Sequence, residues 1–143
     1  FKNNKIDINK IVDAGLCKHC LIKMFNGSFK HIKDIRLGDV LYDNIVVLGI
    51  VHLKPENTNS KFLALQNGSF LTENNILLEN NNLFYLKNKY SEISFFDNYI
   101  TNDLENNNHL FHLVTSKGYF YVEDIKIIHY SELIDIYIKN YFS

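Results

Sequence analysis

A chain of 143 residues with a formal charge of −1, 46% hydrophobic and 14% aromatic, is long enough for one domain with an ordinary core. Its charges nearly cancel and no basic stripe tracks a phosphate backbone, which argues against nucleic acid as a partner. No apolar run approaches the roughly 20 residues of a membrane span and nothing at the N-terminus reads as a signal peptide, so no membrane partner is expected.

The first predicted element is a short helix over 7–14. Asp7 caps it, Ile8, Ile11 and Val12 share a face, and Gly15 ends it. Strands follow over 21–25 and 29–32, flanking Asn26-Gly27, a strong hairpin signal. Further strands are expected over 40–42 and over the β-branched stretch 45–53. The next hairpin, 61–65 with 69–72, turns at Asn67-Gly68, and 76–78 with 83–86 turns at the asparagine run 80–82. Residues 97–109 are sparse in apolar positions and read as an exposed loop. Strands over 110–115 and 119–122 flank Ser116-Lys117-Gly118, and 124–128 is the last. The period then changes: Tyr130, Leu133, Ile134, Tyr137, Ile138 and Tyr141 mark one face of an amphipathic helix. Successive hairpins at this spacing predict an all-β fold with a short N-terminal and a longer C-terminal helix.

Two cysteines three apart, Cys17 and Cys20, make no disulfide framework, and a reducing, intracellular compartment is the simpler expectation. Phe1 is not a natural start, so the chain reads as a fragment of a longer protein. Asp39, after Gly38, is expected to bond backbone amides in a turn, and His31 and His52 to face solvent or core.

The stretch CKHCLIKMFNGSFKHIKDIRLGDVL, from Cys17 to Leu41, sets a cysteine, a short strand, an Asn-Gly turn and a Leu-Gly-Asp-Val run in order. This order resembles the start of a Hint (Hedgehog/intein) domain. Phe70-Leu71-Thr72-Glu73-Asn74-Asn75 is similar to that family's Thr-x-x-His block. The stretch from His109 to Ile125, with Phe-His-Leu-Val-Thr, a glycine turn and Tyr-Phe-Tyr-Val, resembles the last hairpin of Hint-like domains in large DNA virus proteins. The resemblance covers about residues 17–130. It implies a horseshoe-like β fold, with 1–16 as an upstream flanking segment, 131–143 as a terminal helix, and a further domain fused upstream.

The chemistry that the resemblance implies is attack by a cysteine thiol on its own preceding peptide bond. Cys17 would convert the Leu16–Cys17 amide to a thioester by an N–S acyl shift, and water, a thiol or an amine would release the upstream segment. No cofactor is required. An amide leaves poorly, so such a site activates the thiol, protonates the amide nitrogen and stabilises the oxyanion. Thr72 would hold the scissile amide, and His112, with His109 or His129, would supply acid–base help. Cys20 is the second candidate thiol.

Three departures from the pattern bear on that chemistry. Asn75 stands where the family has histidine; it donates a hydrogen bond but is no general acid near neutral pH. Tyr130 follows His129 where inteins have the asparagine that cyclises, which argues against full splicing. The family sets about a dozen residues between its cysteine and the first-turn glycine, whereas Cys17 lies ten and Cys20 seven before Gly27. Two other readings therefore stand beside autoprocessing: a catalytically silent domain of the same fold with a structural or partner-binding role, and a zinc module built from Cys17, Cys20, His109 and His112.

Overall fold

The structure, a computed structural model, describes residues 14–53, 61–91, 94–97 and 110–142. The helix expected over 7–14 and the loop expected over 97–109 lie outside the described residues, save Ala14 and Asp97.

Local turn chemistry shapes the first hairpin. Strands β1 (Leu21–Lys23) and β2 (Phe29–His31) pair antiparallel, with Ile22 opposite Lys30. Between them Gly27 takes φ 86°, a conformation that a β-carbon would strain, and the Asn26 carboxamide accepts from both the amide and the hydroxyl of Ser28. A 3₁₀ turn at Ile32–Asp34 leads to β3 (Val40–Leu41). In the intervening bend the Asp39 carboxylate accepts from the Arg36 amide at 2.9 Å and from Lys30 Nζ at 3.0 Å, the backbone-bonding role its sequence context predicts.

A 3₁₀ turn at Tyr42–Asn44 opens β4 (Ile45–Leu53), whose first residues pair with β3 and whose remainder pairs with β10 (Leu110–Thr115). A register shift at Val114/Thr115 interrupts this pairing. Strand β5 (Lys61–Ala64) lies between β6 (Phe70–Thr72) and β9 (Phe95–Asp97). Strand β9 and the one-turn helix α1 (Leu86–Lys89) have no counterpart among the elements expected from the sequence.

The largest sheet has the order β2-β1-β11-β12-β7-β8, where β7 is Ile76–Glu79, β8 Asn82–Tyr85, β11 Tyr119–Val122 and β12 Ile125–Ile128. The β7–β8 connection uses Asn80 and Asn81 at φ 52° and 65°, so asparagine does here what glycine does elsewhere. Asparagine bears the left-handed conformation less easily than glycine. Asn81→Gly is thus expected to raise stability by about 0.5 kcal/mol, seen as a higher urea midpoint. A lower midpoint would mean that the turn does not depend on this conformation.

Two buried clusters fill the interior. One gathers Leu16, Ile22, Ile32, Leu41, Leu71, Leu113, Phe120 and Ile127, with Cys20 among them. The other joins Ala14, Leu53, Phe62, Ile76, Leu110 and Ile128 to Tyr130 and Leu133 of helix α2 (Tyr130–Phe142). The predicted apolar stripe of α2 thus lies against the sheets at Tyr130 and Leu133, with Ile134 half-buried beside them. Strand β10 is buried on both faces over its first four residues, with the polar His112 among them. The chain is mostly β, as the pattern of hairpins predicts. No helix among the described residues is long and apolar enough to cross a membrane.

Candidate functional site

The segment Ala14–Cys17 runs through the interior as a short extended piece. Leu16 forms antiparallel bridges with Leu71 on one side and Phe111 on the other. Its amide donates to the Phe111 carbonyl at 2.8 Å, and its carbonyl accepts from the Phe111 amide at 2.7 Å. Cys17 N–H donates to the Phe70 carbonyl at 3.0 Å, and Thr72 N–H to the Gly15 carbonyl at 3.0 Å. The resemblance implies that 1–16 is an upstream flanking segment; of that stretch Ala14 and Leu16 are buried in the core.

Three of the predicted site residues form one hydrogen-bonded chain beside this segment, and two of them, Thr72 and Asn75, bond Gly15 directly. The Gly15 amide donates to Thr72 Oγ1 at 2.9 Å. Asn75 Nδ2 donates to the Gly15 carbonyl at 2.9 Å and also lies 3.1 Å from Thr72 Oγ1 and 3.2 Å from the Thr72 carbonyl. Asn75 Oδ1 is 2.9 Å from His112 Nε2. Strand β6 supplies Thr72, the turn after it supplies Asn75, and β10 supplies His112, all three buried.

The bonding fixes the state of His112. Its Nδ1 accepts the Leu113 amide at 3.0 Å, so the ring proton sits on Nε2 and is donated to Asn75 Oδ1. A second proton at Nδ1 would face that amide. Burial pushes the ring from its ordinary 6.5 down to about 3, so His112 is neutral throughout the physiological range. The Phe120 ring meets it edge-on at 5.6 Å, and Tyr130 lies against it at 5.5 Å.

Cys17 and Cys20 form a second group, one turn along the chain. The Cys17 carbonyl accepts the Cys20 amide at 3.0 Å, and the two sulfurs are 3.7 Å apart. Both touch the backbone of Phe70: its amide donates to Cys17 Sγ at 3.4 Å, and Cys20 Sγ–H points to its carbonyl at 3.1 Å. The Cys20 thiol beside it, aided by the Phe70 amide, brings Cys17 down from 9.0 to about 7 against the upward push of burial. Burial and the Cys17 sulfur push Cys20 well above its ordinary value.

His129 is held elsewhere. Its Nδ1 accepts the Thr115 amide at 3.1 Å, and burial lowers its affinity for a proton. Among the described residues no cluster of three or more His, Cys, Asp and Glu could hold a metal, and His109 lies outside them.

From the sequence Gly15 is expected only to end a helix, not to belong to the site, although a signal was there. It lies twelve residues before Gly27, the spacing that the Hint pattern gives its nucleophile. A β-carbon at this position would sit 2.7 Å from Leu110 Cβ and 3.2 Å from Leu53 Cδ1. The segment can therefore pass between β6 and β10 only because residue 15 has no side chain.

No family model matches the sequence, and no curated protein does. Among solved structures the chain is similar to a crystal structure of the gp41-1 intein, at 16% identity and a TM-score of 0.54, over 81% of this chain and 98% of that one. A triply substituted variant of the same intein matches with a TM-score of 0.55, at 16% identity, over 81% of this chain and 99% of that one. The likeness establishes the fold: this chain has the all-β architecture of an intein.

Proposed function

We propose that this chain is an intein-fold domain that clasps the start of its own polypeptide without cleaving it, serving as a structural or partner-binding module fused to an upstream domain. The observation that carries this reading is the target of the Thr72–Asn75–His112 chain. Thr72 Oγ1 accepts the Gly15 amide and Asn75 Nδ2 donates to the Gly15 carbonyl, with His112 bonded behind Asn75, and Gly15 is a residue with no nucleophile. Leu110 occupies the space that a side chain at 15 would need.

The acid–base inventory points the same way. Cleavage needs a proton for the departing amide nitrogen. Asn75 has none to give, and His112 is held as the neutral tautomer with its one proton already donated. The Cys17 amide is committed to the Phe70 carbonyl at 3.0 Å, beside the Leu16–Leu71 bridge. A clasp that satisfies every donor it meets stabilises the ground state and leaves nothing in reserve for a transition state.

One observation favours the second reading, an N–S acyl shift at Leu16–Cys17. With its thiol brought to about 7, Cys17 is partly thiolate at neutral pH, and the Phe111 amide already points at the Leu16 carbonyl oxygen where negative charge would develop. Thr72 would then act only through the position of the strand.

The two readings separate in a precursor that carries a longer upstream segment, treated overnight with dithiothreitol or hydroxylamine. The clasp predicts an intact chain, indistinguishable by mass from its Cys17→Ala variant. Release of a fragment ending at Leu16, abolished by Cys17→Ala, would replace it with the cleavage reading.

A further inference from the structure

Cys17 and Cys20 are not used by the clasp, yet their placement is specific. They close a β-turn whose 3.0 Å backbone hydrogen bond brings the two Cα atoms within about 7 Å, the range that a disulfide spans. Their sulfurs are 3.7 Å apart, so bond formation asks for an approach of about 1.7 Å, within reach of side-chain rotation. Cys17 is the less enclosed residue of the two, partly buried where Cys20 is wholly buried. This asymmetry divides the labour of thiol–disulfide exchange: an accessible sulfur can be approached from outside, and a sheltered one can be reached only by its neighbour.

We propose that Cys17 and Cys20 form a redox-reactive dithiol site whose substrates are low-molecular-mass disulfides. The Cys17 thiolate attacks one sulfur of the external disulfide, forming a mixed disulfide and expelling the other half as a thiolate. Cys20 then gives its proton to solvent and attacks Cys17 Sγ, and the second external thiol leaves. Two protein thiols are oxidised and one external disulfide is reduced to two thiols. The Phe70 amide, 3.4 Å from Cys17 Sγ, stabilises the attacking thiolate. Oxidation withdraws the Cys20 proton from the Phe70 carbonyl, which keeps its bond from the Cys17 amide. The change therefore falls on the first residue of β6, the strand that also carries Thr72.

The site stands whether or not the chain cleaves itself, and the test reads neither cleavage nor binding. The native chain is equilibrated in buffers of reduced and oxidised glutathione, quenched with a thiol-alkylating reagent and weighed intact. Loss of two hydrogens is expected, with both cysteines protected from alkylation and no adduct retained. The rate should rise with pH about a midpoint near 7, the value at which Cys17 ionises in the fold, whereas an unfolded cysteine gives about 8.5. Cys20→Ala should hold one glutathione on Cys17, and Cys17→Ala should react at least 10-fold more slowly than the native chain. Two alkylatable thiols in excess glutathione disulfide would overturn the proposal. So would a midpoint near that of an unfolded cysteine, a readout that needs no variant to fold.

Discussion

Between pH 6.5 and pH 3 the chain is expected to lose on the order of 4 kcal/mol of folding stability on account of His112 alone. In the fold the ring accepts a proton only near pH 3; in the unfolded chain it does so at its ordinary 6.5. A lowered value in a base means that the unfolded state binds the extra proton first. The contribution is therefore whole above pH 6.5 and drains away as the pH falls towards 3. The cause is burial with a fixed tautomer: Nδ1 faces the Leu113 amide, and a proton there would set donor against donor. Carboxylates titrate across part of the same window, and His129 shifts in the same direction, so the measurement is a difference. Urea unfolding of the native chain and of His112→Gln, followed from pH 7 to pH 4, should show a shallower slope in the variant. Parallel slopes would show that His112 is not the group responsible.

Asn75→Leu should cost about 2–4 kcal/mol, although leucine nearly matches asparagine in size. The loss does not fall evenly. The Gly15 carbonyl keeps the Thr72 amide, and Thr72 Oγ1 keeps the Gly15 amide. His112 Nε2–H loses its acceptor in a site without access to water, and an orphaned buried donor carries its full desolvation cost. Replacing both ends removes the orphan. Asn75→Leu combined with His112→Phe should therefore be less destabilising than the two single changes added together, by about 1–2 kcal/mol in a double-mutant cycle. Additive effects would mean that the two side chains are not coupled through this bond.

How much of this could be read from residues follows from the range over which each signal acts. The hairpins at Asn26-Gly27, Asn67-Gly68 and Asn80–Asn82 were legible because turn chemistry and alternation are local. The strand 110–115 and the helix after Tyr130 agree with the structure almost to the residue. The gathering of Thr72, Asn75 and His112 was legible only through the resemblance, since nothing in their own neighbourhoods says that positions 72 and 112 meet. What escaped was the object they hold. Sulfur carries chemistry and glycine carries none, so the residues alone point to Cys17. A glycine's importance lies in what its missing side chain admits, here Leu110 and Leu53, and those contacts are 38 residues or more away in sequence.

The double bridge at Leu16 also sets an order of events during synthesis. Leu16 leaves the ribosome first, and its partners Leu71 and Phe111 follow 55 and 95 residues later. At about 5–20 residues per second, translation leaves this strand without its second partner for roughly 5–20 seconds. Its apolar side chain and open backbone groups are exposed for that whole interval, long enough for a holding chaperone to bind or for a neighbouring nascent chain to pair with it. The same strand that locks the finished domain is thus the part of the newborn chain in most need of protection.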